Sequence, residues 1–288
     1  MRGFLIKTAI IGVLGSLLAG CTALRLAYNN GPLAAWWWLD GYLDVTSEHA
    51  PRVKAAIDLW FDTTRHAQLP AYAALLARAQ QEIGAPASPA QACRWATVLR
   101  DTLDPAVERG IVQAADLVPG LGEAQLRHLE QRFLKKNAEM RRDFLQPDLD
   151  ERREAAVKRT LERAETLYGS LDEPQRKLIA AGIAASPFDP QAWLAEREQR
   201  QRDTVQTLRR LLAERADRDR TVTALRMLFE RSEASPNPVY RSYQQRLTDY
   251  NCAFAAQIHN ATTPAQRRSA RERLKGWEDD LRALAAPQ

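Results

Sequence analysis

The chain has 288 residues, of which 45% are hydrophobic and 27% are charged, and its formal net charge at pH 7 is +5. Arg2 and Lys7 lie in an N-terminal segment without acidic residues, so the rest of the chain is closer to neutral. This weak positive charge does not predict nucleic-acid binding. Stretches rich in Ala, Leu, Arg, Glu and Gln favour helix, and no alternating apolar run is long enough to predict a sheet.

The N-terminal segment has the layout of a secretory signal peptide. Two basic residues precede an apolar run from Thr8 to Leu18. This run is too short to span a bilayer comfortably, so a permanent transmembrane helix is the less favoured alternative. We therefore predict that residues 1–20 are removed on export.

The sequence Leu18-Ala19-Gly20-Cys21 resembles the lipobox of bacterial lipoproteins. The resemblance implies cleavage between Gly20 and Cys21 and attachment of lipid, including palmitate, to the Cys21 sulfur. Thr22 follows the cysteine where an aspartate would resemble the signal for inner-membrane retention. The expected location is the periplasmic face of the outer membrane, with the lipid on Cys21 as the contact to the membrane.

The mature chain is predicted to contain a tether and one domain. Residues 21–32 form the lipidated tether, which ends in the turn-forming sequence Asn29-Asn30-Gly31-Pro32. Residues 33–288 form a single helical domain. Because adjacent helices joined by short loops tend to pack antiparallel, the fold class is an all-α bundle of roughly nine to eleven helices, mostly with antiparallel neighbours.

Three consecutive tryptophans, Trp36 to Trp38, follow the tether. They cover most of the circumference of a helix, so they cannot all face one small contact. One interpretation is an aromatic belt at the lipid headgroups near the anchor. The other, which the sequence favours, is a helix wedged into the core of the domain, because buried aromatic residues supply much of a helical core.

Apolar spacing and helix breakers predict the remaining helices in chain order. The first long helix is expected to break near Gln68–Pro70, since proline removes a backbone hydrogen bond. After a loop at Ala85–Pro89, one helix runs to about Leu103, and Asp104-Pro105 restarts a short one that ends at Leu117. The later patterns cover Leu126–Phe144, Val157–Tyr168, Asp172 to about Ala185, Pro190 towards Ala216, Val222–Phe229, Tyr240–Ile258 and Leu274–Leu284.

Cys93 and Cys252 remain as a pair once Cys21 carries lipid. Cys93 projects away from an apolar stripe that includes Leu99 and Leu103, and Cys252 also lies off the stripe of its helix. Neither cysteine is therefore placed like an ordinary core thiol, and an oxidising compartment favours a disulfide between them. In the chain-entropy model such a bridge contributes about 4–5 kcal/mol.

A similar helix start recurs along the chain. A capping residue, an early proline and a glutamine at the third helical position form the pattern of a capping box. Such starts are common in ordinary helical proteins, and we take them mainly as structural. They also resemble the Leu-Thr-x-x-Gln motif of Spy-type periplasmic chaperones, although no leucine precedes Ser88 or Thr263. The clear copies are Ser88–Gln91, Asp172–Gln175 and Thr263–Gln266, and the weaker ones are Gly122–Gln125 and Thr46–His49.

A second resemblance extends over essentially the whole mature chain. It is to an uncharacterised, all-helical lipoprotein family of Gram-negative bacteria, classed as a domain of unknown function. The resemblance implies fold and location but no activity and no catalytic residue. The matching segments are Tyr28–Asn30, Leu39–Asp44, Arg65-His66, Leu69–Tyr72, Gly169–Leu171 with Gln175, and the stretch from Gln244 through Tyr250-Asn251 and Gln266-Arg267 to Leu281.

Few residues in the sequence indicate a catalytic or metal-binding site. His66, beside Arg65 and next to a predicted helix break, is the strongest polar candidate, but a partly exposed structural histidine is the favoured interpretation. No histidine has a second His or Cys at zinc-ligand spacing, so neither a metal site nor a cofactor is expected. Arginines on the helix that begins at Pro190 could attract anionic lipid or cell-wall polymers. They alternate with carboxylates, so we take them as a solvated face.

Three classes of function remain open. The favoured one is a non-enzymatic envelope protein that binds a polypeptide partner through an apolar groove between helices, and a chaperone-like protein is one form of it. An enzyme acting on cell-envelope material would need a pocket with convergent polar groups, such as His66 buried beside a carboxylate. The third is a structural spacer between membrane and cell wall.

Overall fold

The computed structural model describes residues 23–287, and over these residues it contains twelve α-helices, one 3-10 turn and no strand. The all-α prediction is confirmed, and the expected count of nine to eleven helices is too low. The signal peptide and the lipobox with Gly20 and Cys21 lie outside the described residues. No described helix is long and apolar enough to cross a membrane.

The helices are numbered in chain order, and a short 3-10 turn follows the fifth. Their bounds are α1 (residues 23–29), α2 (Gly31–Leu43), α3 (Ala50–Ala67), α4 (Leu69–Glu82), α5 (Pro89–Leu117), the 3-10 turn (Val118–Gly120), α6 (Glu123–Phe144), α7 (Leu149–Tyr168), α8 (Glu173–Ala184), α9 (Pro190–Ala213), α10 (Arg218–Glu233), α11 (Pro238–Asn260) and α12 (Pro264–Ala285).

From position 23 onward, the described residues of the segment predicted to form a tether are helical and contact α3. Tyr28 on α1 donates its hydroxyl to the Phe61 carbonyl at 2.8 Å. A Cβ at position 31 would lie 2.3 Å from a ring atom of Phe61, so glycine allows α2 to begin directly against α3. The turn-forming residue Asn30 therefore separates the end of α1 from the start of α2. Tertiary contacts with α3 account for the difference from the prediction.

The sequence predicts a helix break at two prolines, and the structure has a break at only one of them. Gln68 separates α3 from α4, as expected, with φ −119°. Pro105 instead lies inside the continuous helix α5. The hydrogen bond lost to Pro105 is the one that the Asp101 carbonyl would accept, and Asp101 is exposed, so water can replace it. The Trp60 indole also donates to the Ala106 carbonyl at 2.8 Å, which holds α5 against α3 just beyond the proline.

Two apolar clusters form the core. In the first, residues of α6 and α9 pack together, and side chains of α2 and α10 extend it. In the second, Leu171, Ile179 and Phe254 bring together α8, α11 and the segment before α8. The most extensive helix contacts join α4 with α12, α5 with α11 and α6 with α9, which are distant in the chain. Helices adjacent in sequence are therefore not the principal partners that the antiparallel prediction assumed.

Helix α5 contacts α10, which extends the first cluster, and α11, which belongs to the second. A disulfide fastens α5 to α11, with the Cα atoms of Cys93 and Cys252 5.2 Å apart. The predicted bridge is present, but the reasoning behind it was partly wrong. Cys252 is buried, whereas Leu99 and Leu103 of the supposed core stripe are exposed. The side of α5 that faces its neighbours is therefore not the predicted apolar stripe. Contacts with α3, α4, α10 and α11 determine which of its residues are buried.

The three clear helix starts are capping boxes, as predicted. Ser88, Asp172 and Thr263 each accept a hydrogen bond from the backbone N–H three residues later. In the weaker copies, Gln125 accepts from the Gly122 N–H at 3.0 Å, and Thr46 hydrogen-bonds the His49 ring at 2.9 Å.

Two of these starts are also joined to each other. The amide nitrogen of Gln175 donates to Gln266 Oε1 at 2.7 Å, and that of Gln266 donates to Gln175 Oε1 at 2.9 Å. Gln175 also donates to the Ala261 carbonyl, and Gln266 to the Ser170 carbonyl, both at 2.9 Å. The capping glutamines therefore fix α8 against the start of α12.

We expect the disulfide to stabilise the fold by about 5 kcal/mol, because it closes a loop of 159 residues in the unfolded chain. Urea unfolding of the wild-type protein with and without reductant measures this difference. The Cys93→Ser/Cys252→Ser variant should match the reduced protein and show no further response to reductant. Free thiols at both positions in non-reducing mass spectrometry of the exported protein would contradict the bridge.

We expect Gln175→Ala to destabilise the protein more than Gln91→Ala. Both changes remove a capping-box bond worth about 1 kcal/mol. Only Gln175 is buried and bonded to Gln266, so its loss leaves buried polar groups unpaired and should cost about 2–3 kcal/mol. Urea unfolding of the two variants provides the comparison, and equal losses would show that the link between α8 and α12 contributes nothing.

Candidate functional site: an apolar cleft with an arginine rim

A cleft of about 570 Å³ opens to solvent between α2, α6, α9 and α10. It lies over the first apolar cluster, where these four helices meet without closing completely. The lining residues are Trp38, Leu39, Tyr42, Leu43, Leu129, Phe133, Arg197, Arg200, Gln201, Asp203, Thr204, Leu208, Leu228, Arg231 and Ser232.

Aromatic side chains form one wall of the cleft. The rings of Trp38 and Tyr42, one helical turn apart on α2, have centroids 4.9 Å from each other. Tyr42 meets Phe133 of α6 edge to face at 6.1 Å. Leu129 and Leu208 are buried beneath them. Together the aromatic wall and these leucines form the apolar floor of the cleft. Trp38, at the edge of this floor, is exposed to solvent.

An amide network between α6 and α9 adjoins the cleft through Gln201 and Arg197. Asn137 is buried, and its amide nitrogen donates to Gln201 Oε1 at 2.6 Å. The Gln201 amide nitrogen and Arg197 Nε both donate to Asn137 Oδ1 at 3.2 Å. Asn137 therefore holds Arg197 in place beside the apolar floor.

The rim of the cleft is positively charged. Three arginines, Arg197, Arg200 and Arg231, line it, against a single carboxylate, Asp203. Arg200 donates to the Ser232 carbonyl at 2.9 Å, which ties α9 to α10 across the rim. An apolar floor below guanidinium groups suits a ligand that carries apolar side chains beside negative charges.

The cleft has no set of groups suited to acid–base catalysis. No histidine lines it, and Asp203 has no second carboxylate beside it. Among the described residues there is also no cluster of three or more His, Cys, Asp or Glu side chains that could hold a metal ion.

Three comparisons with known proteins bear on this chain. The model of a family of unknown function, DUF6279, matches residues 41–241. The chain belongs to this family. Comparison with curated proteins and with solved structures finds no match. The match includes the cleft residues from Tyr42 to Ser232, whereas Trp38 and Leu39 lie before it.

In this DUF6279 chain the two polar candidates from the sequence have different positions. His66 lies 3.5 Å from Asp62 on the same helix, but both side chains are exposed and they line no described cleft. Arg65 instead joins three helices. It stacks over Tyr28 at 5.0 Å, donates to Asn29 on α1 at 2.9 Å and donates to the Leu284 carbonyl of α12 at 3.1 Å. Arg65 is thus structural, and His66 lacks the buried cleft that the enzyme hypothesis requires.

The buried histidine of this DUF6279 chain is His259, which the sequence did not single out. Its Nε2 lies 2.7 Å from the Ala85 carbonyl, so this nitrogen carries the proton and donates. Its Nδ1 therefore accepts from the Tyr168 hydroxyl, 2.9 Å away. Burial raises the Tyr168 pKa to about 12, which keeps the phenol protonated as a donor. Both ring nitrogens are thus used to join α11, α7 and the loop after α4.

The sequence suggests that the arginines of α9 form one solvated face, but the structure divides them into two groups. Arg209 forms ion pairs with Glu123 and Glu130 of α6, each at 2.9 Å, whereas Arg197 and Arg200 point into the cleft. Glu196, the carboxylate directly before Arg197, is buried. This division cannot be predicted from the sequence, because it depends on which turn of α9 faces α6.

Proposed function

We propose that this protein is a lipid-anchored, non-enzymatic binding protein on the periplasmic face of the outer membrane. In this proposal the cleft between α2, α6, α9 and α10 holds a polypeptide segment with apolar and acidic side chains. The observation that carries it is an open cleft lined by both apolar side chains and three arginines. Chaperone-like protection of exposed apolar segments is one use of such a site.

The cleft suits a polypeptide because its two parts match two kinds of side chain. Leu, Phe or similar side chains can bury their surface on the floor formed by Tyr42, Phe133 and Leu129. Asp or Glu side chains can form charge-assisted hydrogen bonds with the rim arginines. Because the cleft is open, a chain can lie across it without an end entering a closed pocket.

The proposed location is supported by sequence and by the disulfide. The lipobox implies lipid on Cys21, and Thr22 resembles the pattern for outer-membrane sorting. A disulfide between Cys93 and Cys252 is typical of proteins in an oxidising compartment such as the periplasm. An enzyme of the cell envelope finds less support, since His66 is exposed and the cleft lacks a paired acid and base.

We expect Cys21→Ala to abolish lipid attachment and release the protein from membranes. Cells that express the full chain are labelled with palmitate, and the label is measured on the purified protein and in membrane fractions. Thr22→Ala is the matched control, because it leaves the cysteine and the residues before it unchanged and should retain the label. Unaltered labelling of Cys21→Ala would contradict lipidation at this residue.

We expect the purified protein to bind a labelled synthetic peptide in which Leu and Phe alternate with Asp. A peptide with Lys in place of Asp, and one with Ser in place of Leu and Phe, should bind at least about tenfold more weakly, a difference of about 1.4 kcal/mol. Fluorescence anisotropy measures the affinities. Equal binding of all three peptides would show that the cleft does not select for these properties.

Charge reversal at the rim locates the binding site. Arg231→Glu should weaken binding of the acidic peptide by about tenfold, with a loss that shrinks as salt is added. Arg202→Glu makes the same change of charge on an exposed residue of α9 outside the cleft, and it should leave the affinity within about twofold. Similar losses in both variants would indicate a general charge effect and contradict the cleft as the site.

A further inference from the structure

The described residues expose twelve large hydrophobic side chains, and four of them lie between positions 26 and 38. Leu26 is 65% exposed and Leu33 49%, while Trp37 and Trp38 are 67% and 64% exposed. The prediction that the tryptophans are wedged in the core is therefore wrong for Trp37 and Trp38. Trp36 alone is half-buried, with Lys54 4.5 Å above its ring.

Three of these side chains form a stripe. Backbone hydrogen bonds from Asn30 to Leu26 and from Ala34 to Asn30 continue the helical path from α1 into α2. Leu26, Leu33 and Trp37, spaced by seven and four residues, therefore share one side of this path. We call these three residues the α1–α2 stripe. Trp38 lies next to it and also lines the cleft.

The opposite side of the same two helices is packed against the domain. Tyr28 and Gly31 contact Phe61 of α3, and Arg65 bonds Asn29. Helix α2 also packs on α6. These contacts fix the orientation of α1 and α2, so the stripe is held outward by a rigid support and is not an effect of a loose N-terminus.

The stripe has the composition of a surface that rests on lipid. No charged residue occurs from Leu26 to Leu39, and exposed Arg25 precedes this stretch. The stretch extends along the helical path for about 20 Å, at roughly 1.5 Å per residue. Tryptophan is enriched at the headgroup level of membranes, where its ring is buried and its indole N–H stays near water.

We propose that the α1–α2 stripe is a membrane-contacting surface that lies on the lipid bilayer beside the anchor. Position favours lipid over other partners, because the stripe begins five residues after Cys21 and a lipid on that cysteine holds it at the bilayer surface. This closeness to the bilayer rests on the proposed lipid anchor at Cys21. The stripe adds a second membrane contact to the lipid and fixes the orientation of the cleft relative to the membrane.

Quenching of tryptophan fluorescence tests the proposal in the lipidated full-length protein. The protein is reconstituted into vesicles of phosphatidylethanolamine with and without brominated phosphatidylcholine, since bromine quenches only nearby indoles. Quenching should be clear in the wild type and largely lost in Trp37→Phe/Trp38→Phe. The control Trp95→Phe/Trp193→Phe removes the same number of tryptophans and should keep the quenched component. Equal quenching in both double variants, or none in the wild type, would overturn the proposal.

A second pair of variants changes the contact itself. Leu33→Glu places a charge on the stripe and should reduce quenching by at least about twofold. Leu59→Glu places the same charge on an exposed leucine of α3 outside the stripe and should have little effect. Circular dichroism confirms that both fold. Dimer crosslinks through position 33 without quenching would show that a second copy covers the stripe, and would also overturn the proposal.

The mass of the Cys21 peptide separates this inference from the proposed function. Lipid on Cys21 together with absent quenching overturns the stripe and leaves the lipid anchor intact. A Cys21 without lipid, in a protein that still binds vesicles and is quenched, contradicts the anchor and supports the stripe. A protein with neither lipid nor quenching contradicts both.

Discussion

Helix α5 contacts α3, α4, α10 and α11, and it is the element on which the two apolar clusters depend for their relative position. Its disulfide to α11 makes one of these contacts covalent. The partners of α5 come from both halves of the chain, so the fold cannot be assembled from neighbouring hairpins alone. Pro105 is tolerated within α5 because packing along the whole helix outweighs the loss of one exposed hydrogen bond.

The same dependence on distant partners produces the cleft. Helices α6 and α9 bury their leucines against each other, and α2 and α10 cover the sides of this pair without meeting above it. The buried amide network of Asn137 and Gln201 fixes the pairing of α6 with α9 and holds Arg197 at the edge of the gap. The cleft is thus a property of a packed core, and Arg197 and Arg200 are held in position before any ligand arrives, which lowers the entropic cost of binding.

The proposed membrane surface and the proposed binding cleft meet at two consecutive residues. Trp37 belongs to the stripe, and Trp38 lines the cleft. Successive side chains of a helix project about 100° apart, so α2 can serve both surfaces at once. If the α1–α2 stripe rests on lipid as proposed, the mouth of the cleft lies next to the bilayer surface.

Much of the local structure could be predicted from the sequence. The capping boxes at Ser88, Asp172 and Thr263 and the break at Gln68 all depend on residues within a few positions of each other. The disulfide followed from the number of cysteines and the expected compartment, although the argument from apolar stripes was partly wrong. The spacing of apolar residues shows that a helix has a side to bury, but it does not show which helix covers it.

The sequence by itself determined an all-helical chain, most of its helix ends and a family without known activity. Its lipobox remains a prediction, because it lies outside the described residues. Only the tertiary structure decided that Arg65 is a structural link, that Trp37 and Trp38 face outward and that Arg197 and Arg200 line an apolar cleft. The physical reason is that capping and turn formation are local, whereas burial depends on contacts between helices far apart in the chain.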